Sequence, residues 1–559
     1  MQDVKMDKHT AQSNKKDSVV ILGAGIMQMP IIESANNMGL ISIVFDGNNN
    51  APGKKLSTYF ENIDLKDHDS LLEKSIYYNN ICNIRAVFTA GTDFSYMVAW
   101  LSEKLGLKSI SYETALKATD KSLMREAFSS ANVSSPLFIM TTDININEDQ
   151  VQKLGYPLVV KPVDSMGARG AVKIHDFHHL KDAIKEAIKF SRSGKVIIEQ
   201  FLQGPEFSLD AVIKDGNIHI CGVADRHIYF PPYFVEMGHT MPSEFPKEAV
   251  DKIISVFCDG IRAIGIDNGA AKGDIKYTDG KATIGEIAAR LSGGYMSGWT
   301  FPYSTGFSVI DAALKIALDR DPGAIEYSYN KTAAERAFIS IPGIVDSIYI
   351  PEYLKNRDRE SIVKELFINV DPGDKVNFPK NNVEKCGNII AAHKERSKAV
   401  YAAEEACRNI IVKLKPGDEN TFNFIFGEKE KWIPDAFSLD SIRSIKEILD
   451  SMPDFYGKPD ISHLKDKKIE VFLPEILNIN GESFGTDWHG NSFQKVIEAI
   501  QNSTNLEFIK EISWNNSFAL GKIFWKSVAR GSIQGGIWIA ETIADYIKNG
   551  SDFNNIKWK

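Results

Sequence analysis

Cysteine is scarce in this chain of 559 residues: Cys82, Cys221, Cys258, Cys386 and Cys407 are scattered, with no CxxC pair. That pattern suggests neither a disulfide framework nor a cysteine-ligated zinc site, and it fits a reducing cytoplasm. Positive charge is not in excess either. Lys and Arg number 65 against 73 Asp and Glu, a net charge of −8, whereas a general nucleic-acid binder carries a basic surface. No apolar run approaches the ~20 residues that a membrane-spanning helix needs. The opening MQDVKMDKHTAQSNKKD is polar and lacks the apolar centre of a secretory signal, so residues 1–17 are expected to be a disordered tail. A GxxxxGK[ST] phosphate loop, a Ser–His–acid pattern, internal repeats and low-complexity linkers are missing too. The expectation is a cytoplasmic protein of small-molecule chemistry, with no nucleic-acid or membrane partner and with homodimerisation left open.

What is present is the composition of a globular chain, 43% hydrophobic and 25% charged, long enough for about three to five folded units. SVVILGAG (18–25) reads as a buried strand entering a glycine turn, followed by a helix, a strand at 40–46 and another at 84–93. This is an α/β unit with a parallel sheet, expected to end near 115. A helix opens at Thr119-Asp120, and YPLVVKPV (156–163) is an apolar strand carrying one lysine. Residues 178–191 and 248–265 read as helices. Residues 206–225 and 269–290 read as hairpins turning at Asp-Gly-Asn and at Asp279-Gly280. A helix near 308–319 follows, then an α/β segment at 331–430. Residues 431–559 hold six of the eight tryptophans (432, 488, 514, 525, 538 and 558) and mainly helical patterns.

Chemistry enters through an ordered series of charged residues. Lys121 and Arg125 lie in TDKSLMR, and Lys161 in PLVVKPV directly before DSMGARG. Small and glycine residues there let backbone N–H groups approach a phosphate, and Arg169 adds charge. Glu199 and Glu206 lie in VIIEQFLQGPEFS, Asp274 in KGDIKY, and Glu286 and Arg290 in IGEIAARLSGG. Taken singly, Lys161 also reads as an edge-strand lysine that snorkels outward, and the two glutamates as a solvated strand face. Paired carboxylates on two hairpin arms suit Mg²⁺ and phosphate oxygens.

The series resembles the ATP-grasp superfamily over residues 18 to about 420. The resemblance implies an α/β fold with α+β lobes. Its parts would be a Rossmann-like preATP-grasp domain (18–115), an ATP-grasp domain (116–330, mobile lobe about 131–200) and a C-terminal α/β domain (331–430). An extra, mainly helical region (431–559) matches nothing. By resemblance, Lys121 and Lys161 contact ATP, Ser165, Met166 and Gly167 cover its phosphates, and Gln200, Phe201 and Leu202 face adenine with Glu199 beside its amino group. Glu206 then holds the ribose, Asp274 and Glu286 hold Mg²⁺ (Mn²⁺ being the other option), and Lys161, Arg169 and Arg290 act on the transferred phosphoryl group. Where many members carry Glu-x-Asn-x-Arg, this chain has Ala288 in the asparagine position.

The implied activity is an ADP-forming carboxylate–amine ligation through an acyl phosphate. Arg290-Leu-Ser-Gly-Gly resembles the arginine–glycine loop of amino-acid ligases, so Gly293 and Gly294 are candidates for a substrate carboxylate. The segment 224–246 is expected to be a selectivity loop, in which Asp225, Arg226, Glu236 and His239 receive an amine or a second carboxylate. In that loop Tyr229, Tyr233 and Phe234 wall a pocket. Three alternatives stand beside this reading. GAGIMQ with Asp46 suggests a dinucleotide fold with a broken fingerprint. A bicarbonate-using carboxylase is a second, and a nucleotide-binding regulatory protein without turnover a third.

Overall fold

The computed structural model describes residues 15–427, 492–504 and 521–549, with a few isolated positions between 447 and 506. A four-stranded parallel sheet comes first, in the order β3 (Tyr59–Asn62), β2 (Ile41–Asp46), β1 (Asp17–Leu22), β4 (Asn83–Phe88). Its first strand starts inside the expected tail, at Asp17. Beyond β1, Gly23 has a positive φ, and the buried Gln28 side chain folds back over the turn and donates to the Ala90 carbonyl (2.6 Å). Asp46 Oδ2 accepts the Ala24 N–H (2.6 Å). Gln28 thus packs against the glycine turn, and the acid that would hold a ribose in a dinucleotide fold is bonded to the turn itself.

A second sheet, all antiparallel, has the order β5 (Phe138–Thr141), β8 (Val196–Gln200), β6 (Leu158–Pro162), β7 (Val172–Ile174). Because β6 is flanked on both sides, Lys161 is not an edge lysine. Alternation along the strand buries Leu158 and Val160 on one face and puts Lys161 on the other.

The third sheet has eight strands. β9 (Glu206–Lys214), β10 (Asn217–Tyr229), β11 (Val235–Met241), β12 (Gly269–Thr278) and β13 (Lys281–Ala288) are joined by β14 (Thr332–Phe338), β16 (Val363–Ile368) and β18 (Gly387–His393). Their order is β13-β12-β9-β10-β11-β14-β18-β16. The hairpin turns Asp215-Gly216 and Asp279-Gly280 place positive φ at both positions, as two-residue hairpins with right-handed strand twist require. β11 pairs with β14, so one sheet crosses position 330. A small sheet, β17 (Lys375–Val376), β15 (Gly343–Tyr349), β19 (Ile411–Leu414), lies beyond.

The expected selectivity loop is instead a hairpin, β10–β11, with Phe230–Phe234 as its tip. Polarity and the Pro231-Pro232 pair disguise it, because Glu236 and His239 are buried beside the apolar Val235, Met237 and Met241.

Of the expected C-terminal features, Trp525 and Trp538 are core residues, while tryptophans 432, 488, 514 and 558 lie outside the described residues. Within Gly521–Lys548, the stretch GSIQGG lies at a kink on Ser532 where two helical segments meet. A methyl on Gly535 would stand 2.2 Å from the Ser527 carbonyl oxygen. Among the described residues no helix is long and apolar enough to cross a membrane.

Candidate active site

Register across the large sheet builds the site. β9 lies between β10 and β12, and β12 between β9 and β13. Three rows of side chains therefore stand side by side on one face: Arg226–Glu206–Lys276, then Ser208–Asp274–Glu286, then Asp210–Lys272–Ala288. Asp274 and Glu286 are direct cross-strand partners. Arg226 sits among three carboxylates, bonding Glu206, Asp274 (3.1 Å) and Glu236 (2.8 Å). Asp274 also takes Lys272 and the Ser208 hydroxyl (2.9 Å). Glu206 takes Lys276 (3.2 Å), and Glu286 takes Lys121 (3.2 Å).

The small second sheet supplies the facing wall. Lys161 Nζ is 2.6 Å from Glu199 Oε2, and Arg125 Nε donates to Glu199 Oε1 at 2.7 Å. Lys121 and Arg125, four residues apart, share one face of the helix Lys121–Ser130. Asp120 caps that helix by accepting from the Ser122 N–H (2.8 Å). Lys121 Nζ reaches the Ser165 carbonyl (3.0 Å), so the loop Asp164–Gly170 is drawn onto the cationic cluster. Positive φ at Gly167, Ala168 and Gly170 turns this loop's backbone sharply. Arg169 Nε bonds the Met166 carbonyl (3.1 Å) and braces the loop from within.

Asn382, from the stretch before β18, links this loop to β11: its N–H donates to the Gly167 carbonyl (2.9 Å) and its Oδ1 accepts from Glu236 N (2.7 Å). At the hinge, the Gln200 and Phe201 N–H groups bond the Leu137 and Pro157 carbonyls (3.0 and 3.1 Å), which commits those two amides within the lobe. The Phe201 ring lies 6.2 Å from Phe234, with the Lys173 ammonium 3.9 Å from its centroid. Gly204 (φ +99°) passes so close to β12 that a methyl there would stand 2.4 Å from the Tyr277 carbonyl.

On the far side of Arg226, His239 bridges two acids, with Nδ1 3.0 Å from Glu335 and Nε2 3.7 Å from Glu236. Gly294 (φ +58°) rests on this pair, because a methyl there would stand 2.6 Å from Glu236 Oε1. Gly293 abuts Gly91 at the end of the first sheet. Arg290 donates to the Leu291 carbonyl (3.0 Å), while its Nε is buried with no partner among the described residues. Asp225 points the other way and is bonded by Arg396 and Ser243. Tyr229 and Tyr233 pack on the core of the 331–427 segment, and Phe234 meets the hinge at Phe201.

Several participants escape a reading of the sequence. Lys272 and Lys276 flank Asp274 at alternate positions of KGDIKY, a signal that was available. Asp93 ends the β4 loop, where Arg290, Lys121 and Glu286 all act on its charge. Glu335 and Asn382 come from distant segments and carry no local signal.

Burial disfavours charge throughout, and the pairing decides what remains ionised. For Glu199 burial acts upward, and Arg125 and Lys161 overcome it to hold the carboxyl below its usual range. Burial pushes Lys161 down, with Glu199 opposing. Burial likewise opposes Glu206, but Arg226 and Lys276 hold it at about 2. Glu236 and Glu286 are also lowered against burial, by His239 and Arg226 and by Lys121 and Lys272 respectively. A carboxyl lowered on folding contributes stability that is present above its unfolded pKa and lost as pH falls through its folded one. Urea midpoints are therefore expected to fall as pH drops from about 4.5 toward about 2. Glu206→Gln should flatten that slope.

Asp274 and Glu286 suit a hard divalent cation: two oxygen donors opposed on neighbouring strands, leaving the other positions to water and phosphate. Among the described residues no group of three or more His, Cys, Asp or Glu forms a protein-only metal cage.

A sequence model of the ATP-grasp domain matches residues 154–298, and one of the L-amino acid ligase C-terminal domain 2 matches residues 337–415. Alanine–anticapsin ligase of Bacillus subtilis is 25% identical over 251 residues, 41% of this chain and 53% of that protein. The carbamoyl phosphate synthase large chain of Clostridium acetobutylicum is 26% identical over 210 residues, 34% of this chain and 19% of that protein. The chain thus spans about half of the first relative and a fifth of the second. An L-amino acid ligase from Bacillus licheniformis superposes with a TM-score of 0.62 at 21% identity, covering 72% of this chain and all of that structure. The fold is ATP-grasp, and the chain carries an ATP-grasp domain followed by an L-amino acid ligase C-terminal domain.

Proposed function

We propose that this ATP-grasp protein is an ADP-forming carboxylate–amine ligase acting on an amino acid or a related small carboxylate. One observation carries the reading. The opposed carboxylates Asp274 and Glu286 lie beneath a glycine loop and among the buried cations Lys121, Lys272 and Arg226. That is a site for a polyphosphate with a divalent metal. Asp274 and Glu286 would hold Mg²⁺ or Mn²⁺, which supplies neutralisation of phosphate charge.

The protein's own residues do the rest. Lys161 and Lys121 bind phosphate oxygens, the backbone of 165–167 covers them, and Glu206 takes the ribose once its lysine partner gives way. A substrate carboxylate oxygen then bonds to the γ-phosphorus as ADP departs with the bridging oxygen's electrons. The amine nitrogen bonds to the acyl carbon, inorganic phosphate leaves, and the nitrogen loses a proton. Arg290, whose buried Nε has no partner among the described residues, is placed to neutralise the acyl phosphate. Glu236, held by His239 beneath Gly294, presents its carboxylate to an ammonium group.

Positioning and charge suffice for such a transfer, and no protein nucleophile is needed. The reading carries with it a cytoplasmic location and small-molecule partners.

The test is product analysis. The full chain is incubated with Mg-ATP and either pooled amino acids or bicarbonate, and ADP is resolved from AMP. ADP that forms only with amino acids is expected. ADP only with bicarbonate would move the protein to carboxylation, and AMP would overturn the acyl phosphate.

A further inference from the structure

Lys272 is among the cations around the paired carboxylates but has no task of its own in the mechanism above, and it stands at the centre of the charged face. Its cross-strand partners are Asp210 on β9 and Ala288 on β13, so its side chain lies between a carboxylate and a methyl group. Its ammonium bonds Asp274, one of the two candidate metal ligands, and its side chain is only 13% exposed. Its charge acts on Glu206, Asp210, Glu236 and Glu286 as well.

Two features of the neighbours define what this lysine does. Ala288 offers no oxygen beside Glu286, although the two side chains share a face of β13. The room that a longer side chain at 288 would take is next to the lysine. Asp210, fully buried, spends Oδ1 on the Ser292 N–H (2.8 Å) and leaves Oδ2 with no partner among the described residues. A buried bare carboxylate oxygen is costly unless a cation is near, and Lys272 is the cation in the next strand. The lysine is bonded to Asp274, with Asp210 as its cross-strand neighbour, and its positive charge stays at the metal-side edge of the site.

We propose that Lys272 supplies, as a fixed ammonium beside Asp274, the positive charge that an oxygen-bearing side chain at 288 would recruit as a further metal ion, so that nucleotide is held through a single divalent cation. The proposal rests on the nucleotide-site reading above. A triphosphate brings several negative charges onto a face that already carries five carboxylates (Glu206, Asp210, Glu236, Asp274, Glu286). A lysine there costs no ion uptake, and it keeps the charge in place when the metal leaves with the product.

Calorimetric titration of ADP into the full chain at stepped Mg²⁺ concentrations tests this without turnover. Wild type is expected to bind ADP with a first-order dependence on Mg²⁺. Lys272→Gln should lose about tenfold or more in affinity at fixed Mg²⁺, the loss of one close charge. Lys272→Arg, which keeps the charge, should stay within about threefold. Adding Ala288→Asn to Lys272→Gln should recover affinity and make the Mg²⁺ dependence second-order. Thermal melts of each variant confirm that a folded protein is being titrated. If Lys272→Gln binds ADP as wild type does, or wild type is already second-order in Mg²⁺, the proposal is overturned while the nucleotide site stands. If wild type binds no nucleotide at any Mg²⁺ level, the nucleotide site itself falls.

Discussion

Lys161→Ala is expected to lower ATP turnover by about 10²–10³-fold, the usual cost of removing one charge aimed at the developing negative charge of a transferred group. The fold should survive. Lys161 lies on an interior strand whose neighbours, Leu158 and Val160, carry the packing. Its removal leaves Glu199 bonded to Arg125 at 2.7 Å, so no buried carboxylate is stranded. The melting temperature should therefore move by a few degrees at most while the rate collapses. A wild-type rate in this variant would take Lys161 out of the site.

Arg125→Met should show the opposite profile. Arg125 is fully buried and ties three elements together: its own helix, β8 through Glu199, and β13 through the Gly285 carbonyl (2.6 Å). Removing one partner of a buried pair typically costs about 3–5 kcal/mol, because the other charge stays behind unpaired. Here Lys161 remains against Glu199, so the loss should fall toward the lower end of that range. Lysine is no substitute, since one ammonium cannot reproduce the guanidinium's two divergent contacts. Urea unfolding of Arg125→Met and Arg125→Lys reads this directly, and wild-type midpoints in both would mean that the pair contributes nothing to the fold.

The contrast between these two residues shows what a sequence makes legible. Lys161 interrupts an apolar strand and is followed at once by a glycine-bearing loop, so its neighbours in the chain announce its role. The β12–β13 hairpin is legible from its two-residue turn, but a register shift that skips Gly285, which the turn does not announce, is what brings Asp274 opposite Glu286. Arg125 meets a glutamate 74 residues away, and His239 an acid 96 residues away. Such pairs form only after separate elements pack, and no local pattern encodes them. The hairpin β10–β11 was hidden by its own chemistry. Val235–Met241 is buried along its whole length, charged and apolar residues alike, so the split into an apolar buried face and a polar exposed face that marks a half-buried strand is absent. Asp225 and Arg226 are adjacent in sequence but part in the structure, because a strand's neighbouring side chains point to opposite faces.

The pairing of β11 with β14 has a consequence for how the molecule comes apart. Residues 326–330 are exposed, and a protease would find them readily. A cut there would not separate two bodies. The pieces would stay zipped along Gly238–Met241 and Ala333–Arg336, and pinned by His239 against Glu335. If the N-terminal piece were made without its partner, β11 would become a raw sheet edge, open to any strand that met it. The stretch that looks like a linker on the page is in the folded chain a loop on the rim of a continuous sheet, and the amine-facing acids depend on both sides of it.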